Sequence, residues 1–484
     1  MEYTVLSHFD IRPGSLTLWS AALLPGTGWQ ADDRPLTCGH TKYLRELDAA
    51  DPAPGRGRWI GTVFEMDAPF DRRLIRDLTW MWHARHEGLR TTVAPMVNRE
   101  TEPPRSTCAA LDITIVAEWI PEVTASAEIN DYLNTILEQR LSALTWPHCL
   151  IATIEHENTG DFTVLVAADH SVMDAYGQVL LVPELRALYR ALLNGTACRR
   201  SDTFASAADY AALERQAADA LTPESPAVDL WREFLAESGG RFPRFEPVPG
   251  DLGDAAEPVT GPQTSVSRWL LDDSDIRVVE TAAAAAGYRL TPAIFAALAL
   301  AARATSGSPI FRAIMPVATR PDLRWSESMG WFVNIVPLTI SVGPVGEAGG
   351  EFPAALAAAD TSLRRTRALA AAPATRVFDL LGVEDAPRFV VSFVDITRLP
   401  DNELITGLRG RALRADAYGS GEIYFWIVRA AAGLNISARF CTSYPPEAVQ
   451  RFVDEFTAVL RGAGADALPM EPYAPLAAVH NEVA

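Results

Sequence analysis

The chain has 484 residues, enough by length for two or three domains. It is 48% hydrophobic and 21% charged, the mix of a globular protein with a large core that needs no disulfide or metal to fold. Sixty-one acidic residues against 42 basic ones give a formal charge of −19, which argues against a protein built to grip nucleic acid or anionic lipid. The five cysteines, Cys38, Cys108, Cys149, Cys198 and Cys441, are scattered and form no CxxC or zinc-ligand spacing, so reduced thiols and no metal site are expected. The opening MEYTVLSHFD has neither a basic stretch nor an apolar one, and no later run reaches membrane-spanning length. A cytoplasmic location without membrane contact is therefore expected.

In chain order, residues 58–66 read as a strand. Asp71 is an N-cap for a helix with Leu74, Leu78 and Met81 on one face, ending near Gly88. A second helix is expected near 125–143, with Ile129, Leu133, Ile136 and Leu137 at helical spacing. Two apolar runs, 149–155 and 162–168, flank the turn-rich ENTGD and read as a hairpin. An amphipathic helix over 177–193 is closed by Asn194 and Gly195.

A Pro-, Gly- and Asp-rich stretch, 237–263, reads as the linker between a first half, 1–236, and a second, 264–484. Beyond it a strand over 265–271 leads to a helix capped by Ser274 and stopped at Gly287. Thr291 and Pro292 then pair an N-cap with a first-turn proline. Strands are expected at 310–317, 331–341, 388–396, 422–430 and 434–441. The Ala-rich stretch 354–374 reads as a helix, and Pro445-Pro446 opens a last one carrying Val449, Phe452, Val453, Phe456 and Leu460.

Several common enzyme signatures are missing: GxGxxG after a strand, GxxxxGK[ST], HExxH and GxSxG. The informative segment is Ala168-Asp169-His170-Ser171-Val172-Met173-Asp174-Ala175. It sets one of only eight histidines directly after an apolar strand, with an acid four residues on. A histidine held where the backbone turns can accept a proton near neutral pH. The plain alternative is a hydrogen-bonded histidine with no chemistry. His86 at a helix end reads as a cap or core residue. The His148-Cys149 pair is discounted because strand neighbours face opposite ways.

The segment resembles the HHxxxDG signature of the chloramphenicol-acetyltransferase-like superfamily, which includes nonribosomal-peptide condensation domains and polyketide-associated acyltransferases. Further resemblances follow in the same order along the chain. Arg85 to Thr91 is similar to RHExLRT, and Asp209-Tyr210-Ala211 with Trp231 loosely to YxDFxxW. Pro316-Val317-Ala318-Thr319-Arg320-Pro321 is similar to PVAGRP, Met329 to Asn334 to the GxFVN latch, and Pro387-Arg388-Phe389 to the strand after it. Departures are Asp169 for the first histidine, Ala175 for the glycine, and Thr375-Arg376-Val377-Phe378 in place of an Asn-Gln-Asp-type segment.

The resemblance implies an α/β fold of the α+β sandwich type, with two acetyltransferase-like halves in a V around a central tunnel. It implies His170 as general base, Asp174 as support of the loop, and Arg320 as the salt-bridge partner of Asp174. The Ala175 N–H and Asn334 become oxyanion candidates, Asn334 also a substrate contact. Asp169, Trp331 and Phe332 are expected to meet substrate. The implied activity is that of a freestanding acyltransferase, with no bound cofactor. An acyl group would pass from a carrier-protein or CoA thioester, through its phosphopantetheine arm, to an alcohol or amine, with an ester favoured. A carrier would dock in trans on a basic patch, for which Arg199-Arg200 is the candidate, and a monomer suffices. A silent module that recruits a partner enzyme is the competing reading, resting on Asp169 and Ala175.

Overall fold

The computed structural model describes every residue except 50–58, 95–101, 158, 199–203, 247–260, 344–350, 400, 417, 420, 442–443 and 466–484. Two seven-stranded mixed sheets form the frame. In the first, the strands run in the order Glu2–Val5, Arg411–Arg414, Trp59–Met66, Phe162–Asp169, Cys149–Glu155, Ser15–Leu23, Ile113–Trp119. The second runs Val333–Ser341, Ile310–Ala318, Phe389–Asp395, Ile423–Ala430, Gly433–Cys441, Gly261–Asp272, Tyr418–Gly419.

The expected hairpin is present: Cys149–Glu155 pairs antiparallel with Phe162–Asp169, Cys149 facing Ala168. Every residue of Phe162–Asp169 is buried, because strands cover both its edges and apolar side chains both its faces. Asp71 caps helix Arg72–Arg85 as expected, accepting from the Arg73 and Leu74 amides. That helix buries Ile75, Leu78 and Trp82 rather than Leu74 and Met81, and stops at Arg85, before a short 3-10 turn. Helix Ser126–Arg140 buries Ile129, Leu133 and Leu137.

In the second half two caps differ from expectation. Asp272, not Ser274, caps helix Asp273–Ala285: its carboxylate accepts from the Asp275 amide, and Ser274 donates its hydroxyl to that carboxylate. Helix Leu290–Ser306 starts one residue before Thr291, with Arg289 at the cap and Pro292 inside the first turn, where a missing N–H costs no helix bond. The 354–374 stretch resolves into helix Glu351–Arg367, a 3-10 turn and helix Ala374–Leu381.

The halves are interleaved. Strand Arg411–Arg414, from the second half, inserts into the first sheet between Glu2–Val5 and Trp59–Met66. Gln178 fixes this exchange from the helix above: its amide donates to the carbonyls of Gly61 and Leu413. Gly61 is required at this contact, since a Cβ there would lie 2.5 Å from the Val166 carbonyl oxygen. In the other direction, helix Pro226–Ala236 packs Trp231 and Phe234 with Ile314, Phe378 and Val390 of the second half. Most of the expected linker, 247–260, lies outside the described residues. Among the described residues no single helix is long and apolar enough to cross a membrane.

Candidate active site

A buried strand, a turn and a helix place the central histidine. Strand Phe162–Asp169 ends at the lobe junction, residues 170–174 turn, and helix Ala175–Leu193 leaves in a new direction. Asp174 is the helix N-cap and takes the Gly177 amide at 2.7 Å. Asp169 ties down the other end of the turn. Its carboxylate accepts the Ser171 amide at 2.8 Å and the Tyr43 hydroxyl at 3.1 Å, and its own amide donates to the His148 carbonyl. His170 is thus held between two buried carboxylates whose bonds fix the backbone on either side.

The second lobe closes on Asp174. Arg320 lays its fork on the carboxylate, Nη1 to Oδ2 at 3.0 Å and Nη2 to Oδ1 at 3.2 Å. The Phe332 amide adds a bond of 3.1 Å to Oδ2. Arg320 also donates to the carbonyls of Trp325 and Ser328, and its guanidinium lies over the rings of Tyr176 and Phe332. Asp174 has 0% exposure, so this charge rests wholly on its partners. Removing one member of a buried pair costs about 3–5 kcal/mol.

His170 itself is half-buried. Its Nδ1 is buried with no hydrogen-bond partner, which leaves Nε2 as the nitrogen able to meet a ligand. Burial pushes the imidazole pKa below its ordinary value, and the Arg414 guanidinium acts the same way. The residue's own backbone and the carboxylates of Asp169 and Asp174 work in the opposite sense without reversing it. The ring is therefore neutral at pH 7 and carries a basic nitrogen. Arg414 is brought here by the exchanged strand, with its guanidinium 4.0 Å from the centre of the Trp426 ring. Trp331 sets its ring 5.1 Å from that of His170 and lines two cavities. The larger, about 460 Å³, is walled by Tyr210, Glu214, Thr319, Trp331 and Thr375 among others. Burial pushes the Glu214 carboxyl up to about 7.

The family profile for the condensation domain matches residues 60–393, more than half of the chain. The chain belongs to the condensation-domain family. Among curated relatives of this condensation-domain chain, the acyltransferase PapA3 of Mycobacterium tuberculosis is 29% identical over 285 residues, 58% of this chain and 58% of that protein. Trehalose-2-sulfate acyltransferase PapA2 of Mycobacterium bovis is 28% identical over 324 residues, 66% of this chain and 65% of that protein. The chain thus spans less than two thirds of the length of both. Two solved structures share the fold. A PapA2 acyl transferase has a TM-score of 0.83 at 23% identity, covering 96% of this chain and 100% of that one. The first condensation domain of the calcium-dependent antibiotic synthetase has a TM-score of 0.68 at 18% identity, covering 90% and 98%. The two-lobed acetyltransferase-like architecture is therefore the fold of this chain.

Within this condensation-domain fold the structure brings together His170, Asp174, Arg320 and Trp331. Asp169 stands at the same turn, but at 1% exposure, with its carboxylate on Ser171 and Tyr43, it holds the backbone and does not meet substrate as expected. The structure redirects two other residues. Asn334 donates its amide to the carbonyls of Leu369, Ala370 and Ala372 and accepts the Ala374 amide. A side chain so committed clamps the 369–374 loop and has no free donor for an oxyanion, so the expected oxyanion role is corrected. Phe332 has 0% exposure and packs between Arg320 and Tyr210, so it is core and not a substrate wall. Arg199 and Arg200, the candidate carrier patch, lie outside the described residues.

The remaining histidine motifs are structural. His86 sets Nε2 2.9 Å from Glu184, which Arg85 also reaches, and its ring stacks on Phe204. Cys149 does meet an imidazole, but that of His83 at 3.4 Å rather than His148. Burial pushes that thiol up to about 12 and that imidazole down to about 4, so the pair is neutral and unreactive. Sequence reasoning missed Arg414 and Tyr43; neither carries a local signal, since both reach the turn from distant strands or helices.

Proposed function

We propose that the chain is a condensation-type acyltransferase that forms an ester between an acyl thioester and a hydroxyl of a sugar acceptor. The observation that carries this reading is the half-buried His170, neutral at pH 7, with its turn locked by the Asp174–Arg320 pair across the lobe junction. The names of two relatives, which act on sulfated trehalose, favour a sugar hydroxyl over an amine.

In the proposed reaction the acceptor hydroxyl gives its proton to Nε2 of His170 as its oxygen bonds to the thioester carbonyl carbon. The tetrahedral oxyanion meets the Ala175 amide, which as the first helical residue has no intrahelical partner. Collapse breaks the carbon–sulfur bond, and the leaving sulfur takes the proton back from His170. A positioned base contributes about 10²–10⁴-fold to such a step. The donor thioester is presented on a phosphopantetheine arm, whether of a carrier protein or of CoA.

Asp169 replaces the family's first histidine without disturbing the turn, because its carboxylate caps Ser171 and holds Tyr43. The Ala175 departure is likewise absorbed, since residue 175 opens helix Ala175–Leu193 and is not among the positive-φ positions that call for glycine. The deciding experiment follows thiol release from acyl-CoA and acyl-carrier thioesters with a sugar acceptor, wild type beside His170→Ala. Acceptor-dependent release that the variant lacks supports the proposal. Release that is equal in both, or that is absent from both across a broad panel, sinks it in favour of the recruiting module.

A further inference from the structure

Beside the His170 turn lies a second, smaller cavity, about 40 Å³, walled by Thr37, His40, Thr91, Arg105, Ser171 and Trp331 with a few small residues. A water needs roughly 10–15 Å³ of such space, so the cavity takes a head group of about three water-sized atoms. Two polar atoms of these lining residues, His40 Nε2 and Arg105 Nη1, are buried without hydrogen-bond partners. Arg105 is 8% exposed. No acidic residue lines the cavity.

Among the described residues, the acids that act on Arg105 are committed elsewhere. Asp32 stands directly opposite it across a small sheet, but its carboxylate is gripped by the Arg34 fork at 2.7 and 2.9 Å and by the Thr107 hydroxyl at 2.6 Å. Glu87 pairs with Arg34 at 2.9 Å. Glu102 accepts the Leu36 amide at 2.6 Å and pairs with Arg215 at 3.2 Å. Among the described residues Arg105 has no ion pair. Burial pushes its pKa down, and the charges of Asp32, Glu102 and Glu87 act the other way without restoring it. A guanidinium buried without a counter-ion costs several kcal/mol, and proteins tolerate that where a ligand supplies the anion. The neighbouring imidazole, pushed down to about 3 by burial, stays neutral and can donate one N–H to the same anion.

We infer that Arg105, with His40 beside it, forms a subsite for an oxyanion, a sulfate ester or a carboxylate, carried by the acceptor next to His170. The inference rests on the acyltransferase reading and names the class of its acceptor. The planar fork of Arg105 suits two oxygens of such a group. The acceptor is assigned over the donor because Ser171 adjoins His170, whereas the phosphate of a pantetheine arm lies the whole length of that arm from its thioester.

The test is binding, so it needs no turnover and stands apart from the His170→Ala assay of the function itself. The full chain is titrated calorimetrically with trehalose and trehalose 2-sulfate, in parallel with methyl glucoside and methyl glucuronide, and separately with 4′-phosphopantetheine. In at least one pair the anionic sugar is expected to bind about ten- to a hundredfold more tightly, the range of a charge-assisted hydrogen bond. Arg105→Gln should bring that ratio near one, and Arg105→Lys, which keeps charge without the fork, should retain part of it. If Arg105→Gln does not melt cooperatively, Arg105→Lys and His40→Asn carry the test, each lowering the ratio. Equal binding within both wild-type pairs overturns the inference, as does a ratio unchanged in the folded variants. A loss confined to 4′-phosphopantetheine binding would assign the anion to the donor and overturn it too.

Discussion

His86 and His170 each stand beside a carboxylate and an aromatic ring, yet only one is left with something to do. His86 spends Nε2 on Glu184 and receives the Met329 amide at Nδ1, with Phe204 stacked on its face. Among the described residues no side chain bonds the His170 ring, which is partly open, with Trp331 beside it lining two cavities. The carboxylates differ in the same way. Glu184 bonds its histidine directly, whereas Asp169 and Asp174 bond the backbone and Arg320 around His170, so they hold the turn without using the ring. An unspent nitrogen on a rigid turn is what separates the proposed base from a structural histidine here.

The largest expected effect breaks that comparison if it fails. His170→Ala should lower acyl transfer by about 10²–10⁴-fold while leaving the denaturation midpoint near wild type. A loss of less than tenfold in thiol release would show that the free nitrogen is idle. Next comes Arg320→Ala, which strands the Asp174 carboxylate in a fully buried site. Denaturant unfolding should show a loss of about 3–5 kcal/mol, with Arg320→Lys recovering only part because the fork is gone. His86→Ala is the mirror of the first. It should cost about 1–3 kcal/mol of stability through the unpaired Glu184 oxygen, with thiol release per folded molecule unchanged.

How much of this was legible follows from where the partners sit in sequence. The His170 turn was, because an apolar strand, a histidine and a capping acid lie within a few consecutive residues, and Asp71 declared its helix by the same local chemistry. Asp272 and Ser274 are both capping residues, and only their mutual hydrogen bond decides which one serves. Asn334 looked free because the loop that consumes it begins 35 residues later. Strand Arg411–Arg414 is the extreme case. Its four residues carry no alternation of their own, and their partners lie more than three hundred positions away. No reading of local pattern could bring Arg414 to His170, although that arginine helps set the state of the imidazole.

The smallest effect is therefore the one that tests the crossover. Arg414 sits half-buried on the exchanged strand, with the Trp426 and Tyr3 rings under its guanidinium. Burial and the nearby Arg439 push its own pKa down to about 9, so it still carries charge at neutral pH. That charge disfavours a second positive charge on His170 and lowers the imidazole pKa. A base works only when unprotonated, so kcat/KM should fall on the acid side through a pKa below the ordinary 6.5. Arg414→Met keeps bulk against the rings and removes the charge. The His170 pKa then rises toward its ordinary value, the acid limb moves to higher pH, and the variant loses more activity at pH 6 than at pH 8. A pH–rate profile for each protein reads the shift directly. Parallel profiles displaced only in height would mean that Arg414 holds the strand in place but leaves the imidazole untouched.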